Sequence, residues 1–323
     1  MLSRITSVPL DRLRARRGPA TKTLLALLLL AAPSARLGAQ TIDDGLMMPK
    51  KNLCTGFLYS YDRWDQYWEG SLKRVNGNIG TVTTQAVTWT GNYGITDRLN
   101  VIALVPYVWT GASQGVLHGM SGFQDLTAAL KYNLLETAFT SRGTLRAIVV
   151  ASAGTPMTDY VADFQPLSIG LHARRFSGRF TLFFQAKAGW FLNGSAAYTW
   201  RGNVTLDRPA YFTDNQLFLT NQVAMPDVFD YTISAGYMKP DGRLQIPISF
   251  SQQDTRGGGD IRRQDAPFVS NKMNFSKVDA LVMYYLPKAK NLALRVSGTY
   301  TVDGRNVGQA TTVTAGLLYT FHF

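Results

Sequence analysis

Nine ionisable side chains fall at polar positions of segments that alternate apolar and polar residues: Asp125, Lys131, Arg146, His172, Arg174, Lys187, Lys277, Asp279 and Arg295. In an extended chain, alternate residues point to opposite faces, so such positions share the face turned away from the apolar set. If the apolar sets meet lipid, these nine line an enclosed, wetted cavity. Six are Lys or Arg and two are Asp, and a lining of that balance favours anions or the electron-rich end of a polar solute. Asp125 with Lys131, and Lys277 with Asp279, are expected to take structural parts in salt bridges that fasten neighbouring strands or hold a plug. Arg146, His172, Arg174, Lys187 and Arg295 are expected to contact solute.

Catalytic and metal chemistry finds little to work with. There is one cysteine, Cys54, and three histidines, His118, His172 and His322. This excludes a disulfide framework and any multi-cysteine metal site. No histidine adjoins a nucleophile signature, and no His-x-Ser-Asn-Gly segment occurs. Gly257-Gly258-Gly259 lacks the following Lys-Ser/Thr of a phosphate-binding loop. No catalytic residue, metal or cofactor is expected. Cys54 reads as a small residue packed in the wall.

The elements that must position the charged set are strands. Val313, Ala315, Leu317, Tyr319, Phe321 and Phe323 oppose Thr312, Thr314, Gly316, Thr320 and His322; Leu292, Leu294, Val296 and Tyr300 oppose Ala293, Arg295, Ser297 and Thr299. Continuing this way predicts about twelve strands, over 53–64, 78–94, 99–110, 122–135, 144–154, 166–177, 179–191, 227–238, 243–253, 273–286, 291–303 and 309–323. Short turns are expected at Thr96–Arg98, Glu136–Arg142, Ser177-Gly178, Lys239–Gly242 and Pro287–Lys290. Longer connections are expected at Asp65–Gly77, Gly111–Ser121, Thr155–Gln165, Phe191–Pro226 and Asp254–Lys272. Short and long connections alternate, as they do when one rim of a barrel faces the periplasm and the other faces outside.

A soluble β-sandwich would also alternate. It would need shorter strands of about 5–6 residues and a charged solvent face. Here the polar faces carry mostly Thr, Ser, Gly and Gln. Aromatics such as Tyr93, Tyr107, Trp109, Tyr132, Trp190, Tyr237, Tyr284, Tyr300 and Tyr319 lie toward strand ends, as interfacial girdles do. The expected fold is therefore all-β, a single antiparallel transmembrane barrel.

The chain has 323 residues, 46% apolar and only 17% charged, with a formal charge of +12. That charge does not indicate nucleic-acid binding. Residues 1–39 hold seven of the bases and one acid, which leaves 26 bases and 20 acids elsewhere with no long basic run. The same segment has the three parts of a secretory signal: basic residues up to Lys22, the apolar run Leu24–Ala32, and small residues before Gln40. Nine apolar residues are too few to cross a bilayer as a helix. Residues 40–52 are expected to be a periplasmic segment or a small plug, and 53–323 the barrel.

Two segments carry a family resemblance. Tyr93-Gly94-Ile95-Thr96-Asp97-Arg98-Leu99-Asn100-Val101 resembles a strand–turn–strand hairpin of the phenol-degradation meta-pathway family of outer-membrane proteins. Gly122–Tyr132 resembles its G-x-x-D-x-x-x-x-x-K-Y strand. The terminal Tyr319–Phe323 resembles the closing signature of outer-membrane barrels, read by the barrel-assembly machinery through Phe323. The resemblance implies transport of small, aromatic or hydrophobic compounds across the outer membrane, with lipid and a small solute as partners. Two other classes are weighed beside it: an adhesive barrel presenting Tyr211, Phe212 and Phe218 on a loop, and a membrane-embedded hydrolase.

Overall fold

The computed structural model describes residues 41–139, 141–262 and 266–323. The signal segment expected over 1–39 lies outside the described residues.

Twelve long strands form the wall: β1 (Asn52–Trp64), β2 (Val82–Thr96), β3 (Leu99–Ala112), β4 (Asp125–Phe139), β5 (Gly143–Pro156), β6 (Arg175–Ala186), β7 (Trp190–Arg201), β8 (Val228–Met238), β9 (Leu244–Thr255), β10 (Asn274–Tyr285), β11 (Leu292–Arg305) and β12 (Thr311–His322). Each pairs antiparallel with its sequence neighbours. β1 also pairs with β12, from Asn52↔His322 to Arg63↔Thr311, so the sheet closes on itself. Closure matters energetically. An open edge would leave backbone N–H and C=O groups facing hydrocarbon at several kcal/mol each.

The alternation read from sequence sets the faces. Outward Phe57, Ile248 and Leu317 are 61%, 64% and 54% exposed, whereas inward Thr181, Ala293 and Thr320 are fully buried. The strands run 11 to 15 residues, enough for a tilted crossing with residues to spare. Aromatic pairs mark both interfaces. Trp190 meets Tyr237 at 5.4 Å near one rim, and Tyr107 meets Phe123 at 5.2 Å near the other.

Turn chemistry explains the tight rim. Thr96 Oγ1 accepts from the amides of Arg98 (3.1 Å) and Leu99 (3.0 Å), closing the two-residue β2–β3 connection. Lys239-Pro240-Asp241-Gly242 closes through Gly242 N donating to Lys239 O at 2.7 Å, with proline at the favoured second position.

One strand differs from the sequence expectation. Residues 166–174 form the end of a long inward-folded loop, and Ser177-Gly178 lies within β6. The actual turn is Lys187–Gly189, where Gly189 takes a positive φ of 99°. Trp190–Arg201, which the sequence reading placed mostly in a loop, is strand β7. Two physical facts misled the pattern. The alternating Leu167, Ile169 and Ala173 are apolar because they pack inside the loop assembly, and His172 at φ 56° breaks the extended backbone. Gly178 sits on the lipid face, where a Cβ would meet nothing within 4 Å, and makes no turn. The strand number is unchanged at twelve, because one expected strand was lost and one gained. Ile246, Leu294 and Leu317 face outward as expected, while Leu171 packs against the loop core.

At the long-loop end, small hairpins Gln66–Glu69/Leu72–Val75 and Tyr211–Thr213/Gln216–Phe218 project beyond the wall. Three long connections share an apolar core that includes Ala162, Val204, Tyr211, Met225 and Phe268.

Candidate functional site

The lumen is not empty. Residues 41–51 run against inward-facing side chains as a strap. The strap is folded by its own acid: Asp44 Oδ2 accepts from Thr41 Oγ1 at 2.9 Å, and Asp44 Oδ1 accepts from Leu46 N at 2.9 Å. The wall then holds it from several strands. Lys131 on β4 donates to Asp44 Oδ1 at 2.7 Å and to Thr41 O at 2.8 Å. Asn193 on β7 donates to Asp43 O at 3.0 Å, and Asn100 on β3 donates to Met48 O at 3.1 Å. Met48 is buried among Cys54, Met283, Tyr285, Ala293 and Leu318. Ile42 and Met47 pack on inward Ile102, Ala129, Ile148 and Val150. Gly45 lies against Phe183 so closely that a Cβ would come within 2.0 Å of that ring's attachment.

Besides the inner mouth bordered by Met47, Arg146 and Lys187, two spaces lie beside the strap within the lumen. One, of about 750 Å³ including open solvent, is bordered by Phe183, Phe191, Asn193, Gln245 and Met283; the other, of about 790 Å³, by Cys54, Leu58, Thr90, Ile102 and Leu318. Thr41, Asp43 and Arg295 border both.

Arg295 stands out within this lining. Its Nε is buried without a hydrogen-bond partner, as is Gln245 Nε2, and Asn193 Oδ1 in the same space also lacks one. Register explains how the two donors converge. Gln245 pairs with Met283 and Met283 with Arg295, so the three stand abreast on β9, β10 and β11. On the far side Arg295 pairs with Gly316. An unpartnered buried donor costs about 1–3 kcal/mol, which a guest acceptor can recover.

Most other inward cations are matched within the wall. Arg146 pairs with Glu136 at 3.1 Å, Arg175 with Asp125 at 3.1 Å, and Arg179 with Asp230. Lys277 lies 4.2 Å from the Phe275 ring centroid, and Asp279 accepts from Thr299 Oγ1 at 2.9 Å.

The sequence-named residues thus fall as follows. Asp125, Lys131, Arg146, Lys277, Asp279 and Arg295 lie on inward strand faces. Asp125 does not bridge to Lys131, nor Lys277 to Asp279. Asp125 reaches Arg175, Lys131 reaches the strap and Asp279 reaches Thr299, while Lys277 lies over the Phe275 ring of its own strand. His172 and Arg174 lie on the loop between β5 and β6, not on a strand, which corrects their expected placement. Lys187 is an exposed turn residue. Asp44, Phe183, Arg179 and Asp230 went unnamed in the sequence reading. Phe183 was legible, being in phase with inward Thr181 and Gln185. Asp44 gave no signal, since nothing local says where an N-terminal segment goes.

The outer mouth is covered by the β5–β6 loop. Tyr160 donates to Asp125 Oδ1 at 2.7 Å and accepts from His172 N at 2.9 Å. Burial, reinforced by the Asp125 carboxylate, pushes the Tyr160 phenol well above its ordinary pKa. Thr110 and Gln124 side chains donate to Leu167 O and Ile169 O. Tyr211 stacks on Phe218 (4.9 Å) and Phe268 (5.3 Å), so two of the three aromatics considered for adhesion serve the loop core or its hairpin, and Phe212 alone is more than half exposed.

A closed twelve-stranded wall, apolar outside and polar within, defines an outer-membrane β-barrel. The chain belongs to the family described as "Putative MetA-pathway of phenol degradation", which matches residues 71–317. Among solved structures it is similar to an outer membrane channel from Pseudomonas putida F1, at 15% identity and TM-score 0.65, over 85% of this chain and 97% of that one. It is also similar to the NanC porin, at 8% identity and TM-score 0.43, over 81% and 98% of the chains. OccAB3 of Acinetobacter baumannii matches at 10% identity and TM-score 0.36, over 84% and 99%. No curated protein matches. At these identities the likeness concerns the fold.

Proposed function

We propose that the barrel carries small solutes across the outer membrane through the spaces beside the strap, and that its solutes combine an apolar body with one hydrogen-bond-accepting end. The observation that carries this reading is the abreast pair Arg295 and Gln245, two unpartnered buried donors set in a wall of Phe183, Phe191, Leu281 and Met283. An accepting oxygen satisfies the donors, and the body fills apolar surface that water wets poorly. Asp43 and Asp279 border the same space, so a singly charged or neutral acceptor suits it better than a multiply charged anion. The strap acts as a plug that narrows the route. Transport of this kind involves no chemical step.

Liposome swelling with matched small solutes tests the reading. Wild-type protein should admit monocarboxylates and neutral aromatic alcohols faster than sugars of equal size, and Arg295→Met should remove that preference. Equal rates for all three classes with wild-type protein would end it.

A further inference from the structure

The two rims differ in how they treat their cations. At the long-loop end, carboxylates are plentiful among the bases (Asp65, Glu69, Asp159, Asp163, Asp207, Asp214, Asp227 and Asp260), and four ion pairs form there: Arg74 with Glu69, Arg208 with Asp163, Arg262 with Asp214, and Arg305 with Asp260. At the short-turn end, nine exposed bases (Lys50, Lys51, Arg98, Arg142, Lys187, Lys239, Arg243, Lys288 and Lys290) face only three carboxylate side chains, Asp97, Glu136 and Asp241. Two of those three are already engaged, Glu136 by Arg146 and Asp241 by Lys239 at 3.0 Å.

The excess is concentrated along one arc. Lys187, Arg243, Lys288 and Lys290 sit on three successive periplasmic turns and form no ion pair among the described residues. Backbone bonds tie this arc together: Met238 N donates to Gly189 O, and Tyr285 N to Arg243 O, both at 2.8 Å. Immediately beside the turns stand outward Trp190, Tyr237 and Tyr284, with Trp190 65% exposed. Such aromatics sit at the depth of lipid headgroups. Lys187 and Lys239 border the inner mouth of the lumen, whereas Arg243, Lys288 and Lys290 border neither the mouth nor the two lumen spaces.

We infer that Arg243, Lys288 and Lys290 bind the phosphate headgroups of anionic glycerophospholipids in the periplasmic leaflet. Three features favour lipid over a dissolved anion. Among the described residues, Lys288 and Lys290 have no intramolecular partner and Arg243 none beyond the nearby Asp241 carboxylate, which Lys239 already holds; they lie beside an aromatic belt, and they stand off the solute route. Clustered bases at a membrane surface attract anionic lipid additively, and a two-turn arc can hold a phosphate from more than one side. The inference does not depend on what the lumen carries.

The full chain is refolded into vesicles of phosphatidylethanolamine with a minor share of phosphatidylglycerol, and the lipids retained on the extracted barrel are weighed by native mass spectrometry. Wild-type protein should retain phosphatidylglycerol at roughly threefold or more above its bulk share, falling toward bulk in 0.5 M salt as charges are screened. Arg243→Gln/Lys288→Gln/Lys290→Gln should bring the ratio to bulk while still shifting on a detergent gel when heated, the mark of a folded barrel. Lys187→Gln/Lys239→Gln should keep the enrichment and change ion selectivity instead. If the triple variant does not insert, the single Gln variants should each lower the ratio. Enrichment absent from wild type, or kept by the triple or single variants, overturns the inference.

Discussion

Lys131 reaches across the lumen to Asp44, its ammonium fully buried and its partner on the strap only a quarter exposed. The pair is the ionic pin between wall and strap. Removing one member of a buried pair leaves the other charge without compensation, at a cost of about 3–5 kcal/mol. Asp44→Asn should therefore undock the strap and raise single-channel conductance, with faster hydrogen exchange at residues 42–48. Lys131→Met removes the charge along with the need to compensate it, so Asp44→Asn should cost less in that background. Unchanged conductance in Asp44→Asn would mean that the apolar contacts of Met48 and Ile42 hold the strap alone.

Gly45 and Phe183 supply a steric test of the same contact. The added methyl of Gly45→Ala would overlap Cβ and Cγ of Phe183, which cannot swing aside as a side-chain tip could. Overlap of this kind costs about 1–3 kcal/mol. Gly45→Ala should open the pore as Asp44→Asn does, and Phe183→Ala in the same molecule should restore strap docking. Rescue is the informative result, because a general loss of folding would not be reversed by a second deletion.

The wall was legible in the sequence because lipid imposes a strict period of two on it. Leu317 and Thr314 take the faces that alternation assigns, as do Leu294 and Arg295. The interior was less legible. Which inward residues meet depends on tilt and register, and these put Lys131 opposite the strap rather than beside Asp125. The loop that carries His172 misled the reading, because an apolar loop core at Leu167 and Ile169 has the same local pattern as a strand. For residues 41–51 the sequence left a trailing periplasmic segment and an inward plug both open, because no local pattern fixes where a segment ahead of the first strand goes.

The same alternation predicts a face-specific mutational cost. Leu317 points to lipid, and an outward Arg near mid-membrane costs about 2–4 kcal/mol. Its strand neighbour Thr314 faces the wetted lumen, where an Arg finds water and carboxylates. Leu317→Arg should lower unfolding stability in urea titrations of vesicle-inserted protein by that amount, with Thr314→Arg changed by less than about 1 kcal/mol. Equal costs at the two positions would contradict the assigned faces.

Acid should loosen the outer loops at one identifiable place. Asp260 accepts from Arg305 Nε at 2.7 Å and from Arg305 Nη2, and Asn306 Nδ2 also donates to it at 2.8 Å. These donors, Arg305 foremost, hold its pKa below the ordinary carboxylate value against the opposing effect of partial burial. A carboxyl lowered by folding stabilises fully above its unfolded pKa, about 3.9, and that stabilisation is lost as pH falls through the folded value. The window therefore lies below about pH 4. Asn306 also accepts from Gly70 N (2.9 Å) and Ile261 N (2.8 Å), so the carboxylate steadies a junction of three loops. Hydrogen exchange at residues 257–262, corrected for intrinsic rates, should stay slow from pH 7 to pH 4 and quicken below it. Asp260→Asn should exchange quickly throughout, since an amide cannot pair with the guanidinium as a carboxylate does. Retained protection in Asp260→Asn at neutral pH would assign the junction to Asn306 alone.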